Sequence, residues 1–309
     1  MNFSRIETSR LQMDILVSSD QSFILELLNT DGFIKFIGDR QVRSSWDADA
    51  YVKKIMGDPH ITYWIVRLKE DTRAMGIVSL IKRDYLPYHD IGFAFLPRFE
   101  KKGYALEAAT AVLAKFLDAY PESRILANPI PENVKSIQLL TRLGLTFERE
   151  MEVEGKVEAK SKMCHIYCIS KDQFLINDVT KKFYSAFSTI DGQVPNWNLL
   201  EHLCLPTVLF NSRNDVGFDV TNLGEFMAPR KIKLTDGSLV NFEEYETQSE
   251  TKITQSIAQR YSQYEKQGIL NGRSFQRRGE KFIQFIKIHN AWKINSVLWE
   301  DESIRQHVP

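Results

Sequence analysis

The chain has 309 residues, of which 43% are hydrophobic, 26% charged and 11% aromatic, and this composition excludes a disordered, collagen-like or coiled-coil protein. Forty Lys and Arg residues balance forty Asp and Glu residues, which excludes binding to nucleic acid or to an anionic membrane through bulk charge. At roughly 100–200 residues per domain, the length predicts two domains.

The three cysteines, Cys164, Cys168 and Cys204, are an odd number that does not form a disulfide framework. Cys164 and Cys168 flank His165 in a strand-like run, which would separate them by about 13 Å and point the histidine to the opposite face. Neither a disulfide nor a metal site is therefore expected here. The N-terminal segment lacks the apolar core of a signal peptide, and no apolar run is long enough to span a membrane, so we expect a soluble cytoplasmic protein.

The pattern of apolar residues changes near residues 171–177, where we place a linker. Before it, apolar periods of 2 and 3.6 alternate, which predicts mixed α/β packing for a domain at residues 1–172. After it, one helical region precedes several strand-like runs, which predicts an α+β domain with an antiparallel sheet at residues 177–309. The turns between these strands are predicted at Asp236-Gly237, Asn271-Gly272 and His289-Asn290.

Strands and helices alternate in the first half of the chain. The predicted elements, in order, are strands at 63–68, 75–81 and 90–96, a helix opening at Gly103, a strand at 124–127, and a helix through Ile137, Leu140 and Leu143 that stops at Gly144. The turn before the first helix, Arg98–Ala105, presents free backbone N–H groups at a helix N-terminus, which is an anion site. Gly103 allows close approach of a ligand, and Lys101 and Lys102 add positive charge.

Four segments occur in a specific order, and together they resemble the GNAT acetyltransferase superfamily. They are Leu80–Asp84, Asp90–Pro97, Lys102–Ala108 and Asn133–Gly144. The segments Glu7–Leu11, Phe36–Arg40 and Ala50-Tyr51 are similar to the opening strand and substrate-side helices of the branch that contains the ribosomal-protein N-terminal acetyltransferases. The resemblance covers residues 5–172 and implies an α/β fold with a mixed sheet.

The resemblance also implies acetyl-CoA as co-substrate and a set of residues that hold it. The backbone of Phe93, Phe95 and Leu96 would pair with the pantetheine arm as an added strand. The main-chain amides that would hold the pyrophosphate are those of Lys101, Lys102, Gly103, Tyr104 and Ala105. Asn133 matches a position that contacts the pantetheine or braces the neighbouring strand, and Ser136 matches one whose hydroxyl lies near the departing thiolate.

Three positions depart from the family pattern. Glu100 stands where Gln or Arg is usual, Lys101 replaces a common glycine, and Leu140 occupies the region of the usual tyrosine acid. A carboxylate that points at a pyrophosphate weakens its binding. A non-catalytic protein that binds CoA or another small molecule through a degenerate GNAT fold is therefore the alternative to an enzyme.

Acetyl transfer to an amine requires the amine to be neutral. An α-amino group with a pKa near 8 is about one-tenth neutral at pH 7, whereas a lysine side chain is neutral in well under 0.1% of molecules. A protein N-terminus or a low-pKa small-molecule amine is therefore the expected acceptor. Asp84, His89 and Asp90 are the candidate bases, although Asp90 also fits an ion pair with Arg83 or a turn cap, and His89 an exposed turn. Ser136 fits either an acid or a helix cap.

The second half is predicted to begin with a helix at Val179–Ile190 and to continue as an antiparallel meander. Its strands are predicted at 257–264, 273–277, 281–288 and 292–299. The pattern over residues 177–304 resembles the nuclear transport factor 2-like (SnoaL-like) cone, a fold that serves as isomerase or dehydratase, ligand cup or dimerisation module. Candidate pocket residues are His202, Tyr245, Tyr264, Trp299 and Asp301, although aromatic residues in a sheet also form core and His202 fits a helix.

Aromatic residues of this second half also suggest a homodimer. Phe282, Phe285, Trp292 and Trp299 offer more aromatic surface than one helix would cover, and such sheet faces commonly pair between subunits. The same side chains would fill an ordinary core or line a pocket equally well. We predict a homodimer that forms at least partly through residues 177–304.

Overall fold

The computed structural model describes residues 5–121, 123–154, 161–214 and 217–302. The chain divides into two units, residues 1–171 and 172–309. The division falls in the first turn of a helix, Lys171–Ser185, so the prediction of a linker at 171–177 is wrong. The reason is burial, because Ile176 lies in the hydrophobic core of the second unit and draws this segment into its first helix.

The first unit is a mixed sheet with helices, as the sequence predicts. Its elements are β1 (Arg5–Glu7), β2 (Leu11–Ile15), α1 (Gln21–Leu28), α2 (Asp31–Phe36), α3 (Ser45–Gly57), β3 (Ile61–Leu68), β4 (Ala74–Lys82), β5 (His89–Phe95), α4 (Tyr104–Ala119), β6 (Arg124–Ala127), α5 (Val134–Arg142), β7 (Thr146–Glu154) and β8 (Ser161–Ser170). The strand order is β1-β2-β3-β4-β5-β6-β8-β7. Neighbouring strands are antiparallel except for the parallel pair β5 and β6.

The two faces of this sheet are covered by different helices. Phe116 of α4 packs edge-on against His89 at the start of β5, with ring centroids 5.1 Å apart. On the other face, the hydroxyl of Tyr51 in α3 lies 3.5 Å from the hydroxyl of Tyr63 in β3. Successive residues of a strand point to opposite faces, so the neighbours His89 and Asp90 face different helices.

The second unit begins with helices and ends in a curved sheet. Its elements are α6 (Lys171–Ser185), α7 (Trp197–Leu203), β9 (Cys204–Asn214), β10 (Gly217–Thr221), α8 (Leu223–Thr235), β11 (Leu239–Ile253), β12 (Ile257–Leu270), β13 (Arg273–Ile288) and β14 (Ala291–Asp301). The order β10-β9-β14-β13-β12-β11 is antiparallel apart from the parallel pair β14 and β9. Gly237, Asn271-Gly272 and His289-Asn290 have positive φ, which confirms the predicted turns.

Two predicted boundaries in the second unit are wrong. The helix predicted at Val179–Ile190 is α6, which begins at Lys171 and ends at Ser185. The strands predicted at 273–277 and 281–288 are one strand, β13, because Gly279 between them lies opposite Tyr264 of β12 rather than in a turn. A Cβ atom at Gly279 would overlap the Tyr264 hydroxyl and approach the Glu300 carbonyl oxygen to 2.5 Å, so this glycine makes room for the neighbouring ring.

Two of the four aromatic residues that suggest a dimer surface are buried, and a third, Trp299, is partly buried. Phe285 is 2% exposed and Trp292 is 3% exposed, and both belong to the core of the second unit. The indole N–H of Trp292 donates to the carboxylate of Asp172 at 2.9 Å, which fixes the start of α6 on the sheet. Only Phe282 of the predicted set is strongly exposed, at 42%.

Cys164, Cys168 and Cys204 are free thiols and all three are buried. In the described part of the chain, no helix combines the length and the apolar character needed to cross a membrane.

Candidate active site

The sheet of the first unit opens at the end of β5. The two parallel neighbours pair only at His89 with Ile125 and at Asp90 with Leu126, so among the described residues the following stretch of β5 has no strand partner on this side. The amide of Leu96 donates to the Met75 carbonyl of β4 at 2.9 Å. Because hydrogen-bonding direction alternates along a strand, the backbone groups of Phe93 and Phe95 point to the open edge.

The same alternation directs the backbone groups of Leu96 to the opposite side, toward β4. Its amide is bonded to β4 and its carbonyl accepts the Phe99 amide at 2.9 Å, and its side chain is fully buried. The expectation that the Leu96 backbone faces a ligand is therefore corrected, because Leu96 closes the end of the strand.

The turn after β5 leads into α4 and presents unbonded amides. None of the backbone N–H groups of residues 101–106 has an acceptor among the described residues, and the first helical bond runs from the Glu107 amide to the Gly103 carbonyl at 3.0 Å. Gly103 is the N-cap with φ of 80°, and Lys101 also has positive φ, at 61°. The segment Lys101–Ala105, which we call the cradle, therefore presents a row of unbonded amides, the arrangement with which helix N-termini bind anions.

Residues of the β1–β2 hairpin hold this turn in place. The guanidinium of Arg10 donates to the Glu107 carboxylate at 2.7 Å and to the Lys102 carbonyl at 3.2 Å, and it lies over the Tyr104 ring at 4.7 Å. The hydroxyl of Thr8 also donates to Glu107. Burial alone would raise the pKa of the Glu107 carboxyl, but the hydrogen bonds from Thr8 and Arg10 outweigh it and lower the pKa.

The contacts of Thr8 and Arg10 with the turn could not be predicted from the sequence. Thr8 and Arg10 belong to the Glu7–Leu11 segment that the family resemblance singles out, but nothing in the sequence indicates that they contact residues nearly one hundred positions away.

The negative charge of Glu100, the residue that departs from the family pattern, is paired with a positive charge. Its carboxylate forms an ion pair with the Lys135 ammonium group of α5 at 2.7 Å. Both side chains are solvent-accessible, so the pair neutralises the carboxylate locally without a large contribution to stability.

Helix α5 follows β6, and Asn133 stands immediately before its first residue, Val134. The Asn133 side chain accepts a hydrogen bond from the Ser136 amide at 3.2 Å, so Asn133 is the N-cap. The Ser136 hydroxyl is half-buried and has no hydrogen-bond partner among the described residues, so it does not supply the cap. Leu140 is 1% exposed, and Gly144 ends the helix with φ of 87° as predicted.

Asp90 is the buried acid of this region. It is 2% exposed, its Oδ2 accepts from Arg83 Nε at 2.6 Å, and its buried Oδ1 has no hydrogen-bond partner. Burial raises the pKa of the Asp90 carboxyl, and the attraction of Arg83 offsets this only in part. The expected ion pair with Arg83 is present, and one carboxylate oxygen remains for another donor.

The other candidate bases lie elsewhere. His89 packs on Phe116 at the α4 face, and burial, with Lys82 nearby, lowers its pKa. Asp84 is exposed in the turn after β4. The structure therefore separates the three candidates and leaves Asp90 alone on the face of Tyr63 and α3. Among the described residues, no cluster of three or more His, Cys, Asp or Glu side chains forms a possible metal site.

The candidate pocket residues of the second unit also separate. His202 is an exposed residue of α7, and Tyr245 is exposed on β11. Tyr264 is 1% exposed and donates to the partly buried Asp301 at 2.6 Å, so this pair is used in a hydrogen bond within the sheet. Trp299 is the one member of the predicted set that lines a cavity in this unit.

Comparison with known proteins covers the first unit. The family model for the acetyltransferase (GNAT) domain matches residues 10–146. An uncharacterized N-acetyltransferase, YnaD, from Bacillus subtilis strain 168 is 29% identical over 143 residues, which are 46% of this chain and 83% of that protein.

Two solved structures share the fold. A GCN5-related N-acetyltransferase from Brucella melitensis superposes with a TM-score of 0.50 and 13% identity over 57% of this chain and 82% of its own. A GNAT-family protein from Chromobacterium violaceum, described as a probable acetyltransferase, has a TM-score of 0.50 and 15% identity over 56% and 89% of the two chains. Residues 10–146 are thus similar to GNAT acetyltransferase domains, and these similarities support an acyl-CoA-dependent acetyltransferase activity in the first unit.

Proposed function

We propose that the first unit transfers an acetyl group from acetyl-CoA to the nitrogen of an amine. The observation that carries the proposal is the adjacency of an open strand edge at Phe93 and Phe95 and the unbonded amides of residues 101–106. An extended amide-containing arm with a diphosphate at its end matches this succession of hydrogen-bonding groups.

The binding residues follow from the same geometry. The amides of Lys101, Lys102, Gly103, Tyr104 and Ala105 would hold the diphosphate, and the backbone of Phe93 and Phe95 would pair with the pantetheine amides. Asn133, the N-cap of α5, would contact the pantetheine or brace the neighbouring strand. Acetyl-CoA supplies an activated acyl group, and the chain's task is to orient the amine and manage its protons.

Two side chains are proposed to move protons. The unpartnered Ser136 hydroxyl, in the first turn of α5, would donate its proton to the leaving sulfur and regain one from solvent, to which Asp90 would return the proton of the amine. The bare Oδ1 of Asp90 would accept a proton from the attacking amine, since a buried carboxylate oxygen without a partner gains a hydrogen bond when a donor arrives.

The proposed acceptor is a protein N-terminus or a small-molecule amine of similarly low pKa. Of the three candidate bases, Asp90 is the one on the face of Tyr63 and α3, and an amine that is already partly neutral at pH 7 needs less base catalysis than a lysine side chain. The similarity of Glu7–Leu11 and Phe36–Arg40 to the ribosomal-protein branch supports a peptide N-terminus. We place the reaction in the cytoplasm, where three unpaired buried cysteines remain reduced.

Calorimetric titration of the full chain with acetyl-CoA tests the binding step. Acetyl-CoA at 100 times its dissociation constant should also raise the free energy of unfolding by about 2.7 kcal/mol. Gly103→Val should remove this gain, because valine resists φ of 80° and the added atoms crowd the amides. Gly192→Val is the matched control, since Gly192 has φ of 75° in open space of the second unit.

Release of free thiol against a panel of amines and peptide N-termini tests the chemistry. Turnover with an N-terminal peptide supports the proposal. Binding of acetyl-CoA without any turnover would favour a non-catalytic CoA-binding protein, and no binding at millimolar acetyl-CoA would refute the proposal.

For the second unit we propose a nuclear transport factor 2-like cone that also forms the homodimer. The strand order with one parallel pair, β14 and β9, and the preceding helices support the cone. Phe282 and Leu298 are register partners on one sheet face and are 42% and 43% exposed, which supports pairing there. Light scattering at tens of micromolar should give a dimer for the full chain and a monomer for Phe282→Ser; a monomeric wild-type chain excludes the dimer.

A further inference from the structure

The second unit encloses a cavity that the proposed acetyl transfer does not use. Its volume is about 810 Å³, within the range of small-molecule binding sites. All of its lining residues belong to the second unit, from Phe183 of α6 to Trp299 of β14.

The inner wall of the cavity is aromatic. The rings of Phe210 in β9 and Phe226 in α8 stack with centroids 3.9 Å apart, and the Trp299 ring meets Phe226 edge-on at 5.8 Å. Phe183 and Val297 complete a fully buried apolar floor. Such a wall accepts a flat or aliphatic molecular body through apolar contact.

Positively charged residues outnumber negatively charged ones in the lining of the cavity. The basic residues of the wall are Arg230, Lys233, Lys266, Arg273, Arg277 and Lys281, whereas Glu244 is its acidic residue. Two of these cations have partners, since Lys281 lies 2.5 Å from the Glu244 carboxylate and Lys266 lies 2.6 Å from that of Asp301. In the described part of the chain, the other four have no carboxylate within ion-pair distance.

Arg230 is the innermost of these unpaired cations. Its guanidinium lies 3.7 Å from the centre of the Phe226 ring and 5.7 Å from that of Trp299, and one N–H group donates to the Phe226 carbonyl at 2.9 Å. Helix α8 and these contacts fix the guanidinium against the aromatic wall. A half-buried, oriented guanidinium without a counter-ion matches a carboxylate or another planar or tetrahedral oxyanion.

The exposed residues at the mouth of the cavity are also positively charged. Lys233 at the end of α8 and Arg273 and Arg277 at the start of β13 are exposed members of the lining. Exposed cations around a concave site raise the local concentration of anions and speed their entry.

We infer that this cavity binds a small organic anion with an aromatic or aliphatic body, whose acidic group pairs with Arg230. The inference goes beyond the proposed acetyl transfer and does not depend on it. A cationic amine is excluded by the same charges, so the cavity is not a second site for the amine acceptor. Carboxylates, sulfonates and phosphate monoesters share the chemistry that Arg230 would recognise.

A matched pair of dyes tests the inference on the full chain. 8-Anilinonaphthalene-1-sulfonate is an aromatic anion, and N-phenyl-1-naphthylamine is the same body without the sulfonate. We expect the sulfonate dye to bind at least tenfold more tightly by fluorescence titration. Equal affinity for the two dyes would show that the cavity recognises apolar surface only and would overturn the inference.

Variants locate the site. Arg230→Gln should weaken binding of the sulfonate dye at least tenfold and leave the neutral dye unchanged, whereas Arg278→Gln should change neither. Arg278 is the matched control because it follows Arg277 on β13 but pairs with Glu265 at 2.7 Å outside the cavity lining. Unchanged binding in Arg230→Gln, or an equal loss in Arg278→Gln, rejects the assignment.

A second variant covers the case in which Arg230→Gln does not fold. Arg273→Gln changes only an exposed side chain at the mouth, and it should weaken the sulfonate dye severalfold and flatten the salt dependence of binding. An Arg273→Gln variant with wild-type affinity and salt dependence would reject the role of the mouth in anion binding.

Discussion

The carboxylate of Glu100 lies 2.7 Å from the ammonium group of Lys135, which joins the turn before α4 to the first helical turn of α5. Glu100 occupies the position at which the GNAT pattern usually has Gln or Arg. The ion pair therefore places a positive charge, that of Lys135, beside this unusual carboxylate. The Glu100 carboxylate beside the unbonded amides of the turn is thus neutralised by a lysine of a neighbouring helix.

Removal of Lys135 should expose the Glu100 charge to the bound diphosphate. Lys135→Met should raise the dissociation constant of acetyl-CoA about two- to fivefold, the range of an exposed ion pair. Glu100→Gln should lower it, and the double variant should return close to the wild-type value, because the two charges act on the ligand with opposite sign. Calorimetric titration measures all four proteins. A dissociation constant unaffected by Lys135→Met would contradict this role.

Ser136→Ala should lower turnover at least about tenfold, the low end of general-acid effects, with little change in acetyl-CoA affinity. Because Asn133 supplies the cap of α5, Ser136→Ala should leave thermal stability unchanged. Asn133→Ala is the contrasting variant and should cost about 1 kcal/mol of stability. Single-turnover kinetics and thermal melts separate the two effects. A full rate in Ser136→Ala would leave this hydroxyl without a catalytic role.

The Asp90 carboxyl predicts the pH dependence of the reaction. Burial raises its pKa, and only the deprotonated carboxylate accepts a proton, so kcat/KM should fall as pH drops through this raised value. Asp90→Asn should lower kcat at least about tenfold and remove this acid limb from the profile. The control is Asp84→Asn, which changes an exposed carboxylate near the same strand. Circular dichroism confirms folding, and an acid limb that persists in Asp90→Asn would assign it to another group.

The Glu107 cluster predicts a pH-dependent stability. The pKa of Glu107 is lowered in the fold, so its contribution is fully present above the reference value of 4.5 and is lost as pH falls through the lowered value. Glu107→Gln should reduce the free energy of unfolding at pH 7 by about 1–3 kcal/mol, the worth of charge-assisted hydrogen bonds. The difference from wild type should shrink below pH 4.5.

Urea unfolding at several pH values measures this difference. Asp118→Asn, an exposed carboxylate at the other end of α4, is the control and should stay within about 0.5 kcal/mol of wild type. A Glu107→Gln deficit that is as large at pH 3.5 as at pH 7 would show that the carboxylate charge does not stabilise the turn.

Local sequence signals determined the elements that carry the candidate site. Apolar periodicity and turn residues predicted β5, α4, β6 and α5, and the residues that open and close these elements are local features such as Gly103 and Gly144. The anion cradle was predictable for the same reason, because unbonded amides at a helix N-terminus follow from chain geometry alone. The turns of the second unit were equally local.

Contacts between distant residues were decided only by the tertiary structure. Sequence spacing does not predict the hydrogen bond between Arg10 and Glu107 or the ion pair between Lys135 and Glu100. It also does not predict the hydrogen bond from Leu96 to β4. It also misplaced the linker, because Ile176 becomes part of a core that forms only when the second sheet folds.

The charged cavity is the clearest case. Arg230 lies more than forty residues before Arg273 and Lys281 in a chain of zero net charge, and all three line one cavity only because α8 and β13 converge in space. Periodicity is a property of neighbours along the chain, whereas a binding site is a property of neighbours in space, and the two coincide only within a single turn or helix end.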